Sequence, residues 1–135
     1  MRHHIHPPGW PPPKGYAHGV VASGRLLFIA GQVGCDPKAL APSFPPSFAA
    51  QFELALENLL EVLRVAGGEP DALCRLTIYV TDKREYLGAL RECGVSWRRR
   101  AGPSYPAMTV VQVAALLPDE AKLELEATAV LAPMG

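Results

Sequence analysis

The sequence has no apolar run approaching the ~20 residues that cross a bilayer, which excludes a membrane-spanning helix. It also has no surplus of either charge, since 13 Lys and Arg balance 13 Asp and Glu. That balance excludes the basic excess of a dedicated nucleic-acid binder. Cysteine is scarce: Cys35, Cys74 and Cys93 are odd in number, far apart and free of any CxxC or Cys/His spacing. Neither a disulfide framework nor a metal site is expected, and the economical setting is reducing and cytoplasmic. The first 13 residues carry one Arg and no apolar stretch, so they do not read as a signal peptide. With 49% apolar and 19% charged residues, the chain is not disordered, and 135 residues suit one domain.

What the chain has in abundance is proline, 14 residues, about twice ordinary usage. Pro7, Pro8, Pro11, Pro12 and Pro13 read as an extended N-terminal arm over residues 1–15, ahead of a single domain over 16–135. Pro37, Pro42, Pro45 and Pro46 read as a loop. Between the two groups, residues 20–22 and 26–30 flank Ser23-Gly24 and predict a hairpin. Apolar residues at Phe48, Phe52, Leu56, Leu59, Leu60 and Leu63 keep a helical period, with Ser47 as N-cap and Gly67-Gly68 as stop. A strand is expected over 73–80. Asp82 caps a second helix reaching to about 99, broken or weakened at Gly88 and Gly94, and further strands are expected over 107–115 and 122–131.

The order β-β-α-β-α-β-β predicts an α/β (α+β) chain with both helices on one face of a mixed sheet. Strand 107–115 is apolar on both faces, with Ala107, Val111 and Val113 against Met108, Val110 and Ala114. An open sheet face of that kind calls for a partner subunit.

Several segments carry a family likeness. Gly15-Tyr16-Ala17-His18-Gly19-Val20, Phe28-Ile29-Ala30-Gly31-Gln32-Val33, the helix from Gln51 to Gly67, Leu76 to Asp82, and Tyr105-Pro106-Ala107 followed by Leu123-Glu124-Leu125-Glu126-Ala127 resemble the RidA/YjgF-like (Rid, endoribonuclease L-PSP-type) family. The resemblance runs from about Tyr16 to Leu131. It implies a chorismate-mutase-like fold, a homotrimer, small-molecule pockets at the inter-subunit clefts, and hydrolysis of reactive imines and enamines without a cofactor. It also implies that Glu124 and Tyr16 handle the attacking water and the ligand, with Ala30, Gly31 and Thr109 beside them. Where the family has an arginine that binds the substrate carboxylate, this chain has Met108, as in arginine-lacking branches. A thioether has neither charge nor paired donors, so the substrate range is expected to differ. The family's serine falls at Ala30, its cysteine at Val110 and its helix asparagine at Arg91.

Each candidate has a plainer alternative. Glu124 is a pocket base or one of a row of solvated strand residues with Lys122, Glu126 and Thr128. Tyr16 closes a pocket or simply packs. His18 titrates at the site or serves as a structural donor. Arg91 supplies the anion contact Met108 lacks, or lies exposed on its helix. Arg98-Arg99-Arg100 contacts RNA or answers a helix C-terminus. Cys93 is a nucleophile or a small apolar filler, and His3, His4 and His6 form no defined metal site. The functional alternatives are a cofactor-free imine hydrolase, a non-catalytic small-molecule-binding or regulatory trimer, and an endoribonuclease.

Overall fold

The computed structural model describes residues 2–134. Its elements are β1 (Arg2–Ile5), β2 (Gly19–Ala22), β3 (Arg25–Val33), α1 (Phe48–Val65), a 3-10 turn at Pro70–Ala72, β4 (Leu73–Val80), α2 (Lys83–Gly88), α3 (Leu90–Ala101), β5 (Ala107–Gln112) and β6 (Leu123–Leu131). The main sheet has the order β3-β6-β4-β5. β6 lies antiparallel between β3 and β4, and β5 runs parallel to β4 at the edge. This is the mixed sheet expected of the sequence.

The expected helices and central strands form where local chemistry places them. The Ser47 side chain accepts from the Ala50 N–H at the start of α1, and Asp82 accepts from the Arg84 N–H at the start of α2. The second helix is broken after Gly88, one of the two positions expected, with α2 ending there and α3 beginning at Leu90, while Gly94 lies within α3 without a break. Phe48, Phe52, Ala55, Leu56, Leu59 and Leu63 of α1 bury against Leu76, Ile78, Val80, Leu123, Leu125 and Ala129 of the sheet. Trp97 and Cys93 of α3 extend the same core.

Two expectations are corrected. No hairpin joins 20–22 to 26–30: β2 pairs antiparallel with β1, Arg2 opposite Ala22, while β3 pairs with β6. The chain does turn at Ser23-Gly24, but β6 lies beside β3 and comes so close to the turn that a side chain at Gly24 would collide with the Leu131 carbonyl. The start of the proline-rich arm is thereby a strand, held further by Arg2, whose guanidinium donates to Leu73 O at 2.7 Å and Ser104 Oγ at 2.8 Å. Strand β5 also stops at Gln112, so Val113 and Ala114 lie outside it.

Candidate functional site

Residues of β6 alternate strictly. Leu123, Leu125, Ala127, Ala129 and Leu131 are buried under the helices, while Glu124, Glu126 and Thr128 face the other side of the sheet. That open face also carries Arg75, Thr77 and Tyr79 of β4, Thr109 of β5, and Leu26 and Phe28 of β3. Phe28 is 74% exposed and Leu26 63%. The Tyr79 hydroxyl donates to Glu126 Oε1 at 2.5 Å, and this bond, reinforced by the Glu126 and Glu124 charges, raises the phenol above its ordinary value.

Glu124 has a built seat. The β3–β6 register slips between Ile29 and Gln32, placing an extra residue of β3 at Ala30-Gly31. Such a bulge leaves a peptide unit outside the ladder and bends the strand. Any side chain at Gly31 would collide with the Glu124 carboxylate, so glycine here makes room for the acid. Ala30, Gly31 and Glu124 therefore form one cluster.

Helix α1 holds this end of the sheet by polar contacts that periodicity does not reveal. Buried Gln51 donates to Pro45 O at 2.9 Å and Glu120 O at 3.1 Å, and its Oε1 accepts from the Lys122 N–H at 2.9 Å. Asn58 donates to Val33 O and Cys35 O at 3.1 and 2.9 Å. Gly34 lies so close to Gln51 that a side chain would meet its backbone. These bonds tie the ends of β3 and β6, and with them Glu124, to a rigid helix.

The other candidates lie elsewhere. The Ala17 N–H donates to Pro106 O at 2.9 Å, and Ala17 bridges Ala107, fixing Tyr16 at the beginning of β5. The rings of His6, Trp10 and Tyr16 pack around His18, with centroids 5.7, 4.9 and 5.2 Å away. His18 Nε2 is buried there without a hydrogen-bond partner among the described residues. Met108 pairs in register with Leu76, which pairs with Ala127, so its side chain is on the helix face, opposite Glu124. There it lines a cavity of about 110 Å³ with Lys14, Phe52, Tyr86, Trp97 and Tyr105.

Arg91 is exposed and does not line this cavity. Leu90, Cys93, Gly94 and Trp97 face the cavity at helical spacing, and Arg91 stands about 100° around α3 from Leu90. Burial, aided by the Glu92 charge, pushes the Cys93 thiol up to about 12, so it is a protonated core residue and no nucleophile. Arg99 and Arg100 pair with Glu53, and Arg100 also with Glu57 at 3.1 Å, so two of the three consecutive arginines are spent on α1. Among the described residues no cluster of three His, Cys, Asp or Glu is arranged to hold a metal, and no helix is long and apolar enough to cross a membrane.

Register separates the two groups of candidates within one chain. Ala107 is level with Arg75, whereas Glu124 is level with Tyr79 and Val111, four residues along. That is about 13 Å along the strands and about 10 Å across them. Tyr16 and Glu124 of one protomer are therefore too far apart to touch the same small molecule.

Residues 10–131 match the family model described as Endoribonuclease L-PSP. The chain is 33% identical to the mouse 2-iminobutanoate/2-iminopropanoate deaminase over 109 residues, covering 81% of this chain and 76% of that one. It is 30% identical to a RutC family protein of Pasteurella multocida, covering 81% and 82%. Among solved structures, the Rid-family protein YyfB of Yersinia pestis, of unknown function, superposes with a TM-score of 0.83 at 35% identity over 96% of this chain and 98% of that one. TdcF of Escherichia coli, crystallised with bound serine, superposes with a TM-score of 0.71 at 30% identity over 93% of each.

Proposed function

This chain belongs to the endoribonuclease L-PSP family, the RidA/YjgF-like proteins, and from that premise we propose that it is a cytoplasmic homotrimer hydrolysing small reactive imines or enamines in clefts between subunits. One observation carries the reading. Glu124 and Gly31 cannot share one ligand with Tyr16 or Met108 within a protomer, but they can across an interface that covers the apolar open face and reaches the β5 edge of a second copy, where Tyr16 and Met108 lie. A second copy both covers exposed Phe28 and Leu26 and completes the site.

The chemistry is short. Water adds to the C=N carbon while the Glu124 carboxylate takes its proton. Glu124 hands that proton to the nitrogen and then relays the hydroxyl proton of the tetrahedral adduct to it as well, so the C–N bond breaks, ammonia leaves, a C=O group remains and the carboxylate is regenerated. Tyr16 orients the ligand, Ala30, Gly31 and Thr109 shape the cleft, and no cofactor is needed for this sequence of proton transfers.

Two measurements test this. The solution mass is expected at three times the 14.5 kDa chain. Imines generated in situ by an amino-acid oxidase should be cleared faster with the protein present, and Glu124→Gln should abolish the gain. If Glu124→Gln leaves turnover intact, the hydrolase reading fails and a ligand-binding trimer takes its place, a reading favoured by apolar Met108 where the family has arginine. Turnover on 2-iminopropanoate is expected to be negligible, and Met108→Arg should raise it. Ribonuclease activity is disfavoured by the pairing of Arg99 and Arg100 with α1.

A further inference from the structure

The cavity beside Met108 combines an apolar wall with a single charge. Its lining includes Phe52, Ile78, Leu90, Trp97 and Met108, and among the described residues the only formally charged group in it is Lys14. Lys14 is exposed and, among the described residues, joins no ion pair. It sits on an anchored segment. Pro11 to Pro13 stiffen the approach. Gly15, at φ +77°, makes the turn, and residues 16–18 beyond it are fastened by the Ala17–Pro106 bond and the rings around His18. Lys14 is thus held at the rim of a cavity whose other described lining residues carry no formal charge.

The wall has further features that suit a ligand. Burial raises the Tyr86 phenol, so its hydroxyl stays protonated and able to donate. Gly94 lines the cavity from mid-helix, where a Cβ would meet nothing within 4 Å. Alanine would favour the helix there, yet the space stays open. A volume of about 110 Å³ compares with roughly 150 Å³ for a dry cavity that admits benzene, so it suits a branched chain of about four carbons.

We propose that Lys14 is the ligand's anion contact in this chain, and that the cavity beside Met108 receives an apolar tail, making the preferred substrates 2-imino acids with branched aliphatic side chains. This specificity rests on the hydrolase reading above. Lysine is a point charge without arginine's paired donors, so the apolar tail carries more of the recognition.

The test uses stable oxygen analogues and full-length protein. By calorimetric titration, 4-methyl-2-oxopentanoate is expected to bind at least ~10-fold more tightly than pyruvate or the carboxylate-free ketone 4-methyl-2-pentanone. Lys14→Ala should weaken the branched acid ~10-fold, leave the ketone unchanged, and be rescued by Lys14→Arg. Gly94→Leu, which fills open space on a helix, should weaken the branched acid and spare pyruvate. The proposal is overturned by no preference for the branched acid, by no binding of it at millimolar concentration, or by a Lys14→Ala change below twofold. The two readings fail separately. Lys14-dependent binding with turnover indifferent to Glu124→Gln sinks the hydrolase and keeps the Lys14 contact. Glu124-dependent turnover with binding indifferent to Lys14→Ala does the reverse.

Discussion

The two faces of the sheet are built from the same strands by alternate residues, yet they do different work. On the helix face, Leu76, Ile78, Leu123 and Leu125 are nearly inaccessible and meet α1 and α3. On the open face, Tyr79, Glu124, Glu126 and Thr128 are polar, while Phe28 and Leu26 are apolar and exposed. The first face is complete within one chain. The second has acid groups seated by backbone geometry and apolar groups with nothing over them. A strand period of two thus lets β6 place core residues at odd positions and polar residues on the open face at even ones.

The sharpest way to break this contrast is to exchange a residue from each side of β6. Leu125→Ala should cost about 2–5 kcal/mol in chemical denaturation, because the buried side chain leaves a cavity. Glu124→Gln, one residue away, should stay within about 0.5 kcal/mol while changing turnover. Equal losses of stability would mean that the open face is part of the core. Next in size is Gly31→Ala, whose methyl group must displace the Glu124 carboxylate. Because that carboxylate ends a flexible side chain that can swing aside, it should cost about 1 kcal/mol or less and reduce any Glu124-dependent turnover, as measured by melting and imine clearance.

On the helix face, Gly94→Ala is expected to stabilise by about 1 kcal/mol, since it adds helix propensity and meets no neighbour. A destabilised variant would mean that the cavity is tighter than it looks. The smallest effect concerns Glu53. Desolvation raises this acid, but hydrogen bonds and charge from Arg99 and Arg100 outweigh it and hold the carboxyl below its usual range. The stabilisation is present above the unfolded-state value near ~4.3 and is lost as pH falls through the lower folded value. Relative to Glu53→Gln, wild type should lose under about 1 kcal/mol on acidification from pH 6 to 3, with no change between pH 6 and 8.

Much of the fold was readable because its signals are local. The 3.6-residue period of α1, the Ser47 and Asp82 caps, and the alternation in β6 each need only a few consecutive residues. Glu124, Gly31 and Ala30 were singled out through likeness to a family, and the structure adds the bulge that joins them. Lys14, Gln51 and Asn58 were missed. Nothing nearby in sequence marks a lysine in a proline arm as facing a cavity 94 positions away at Met108. A buried glutamine in an amphipathic helix likewise reads as surface until its three partners are known. Arg91 stands where the family has its helix asparagine, from which it was expected to supply the anion contact that Met108 lacks, but one step around α3 carries it off the cavity face.

From the sequence alone come the balanced charge, the helices, the strands and the order in which they occur, since periodicity and capping act within one or two turns of chain. Tertiary structure alone decides that β1 rather than β3 pairs with β2, that β6 enters the middle of the sheet, and that Met108 and Glu124 face opposite ways. Those choices depend on which distant backbone fills each line of unpaired N–H and C=O groups, and on where one inserted residue at Ala30-Gly31 shifts the register.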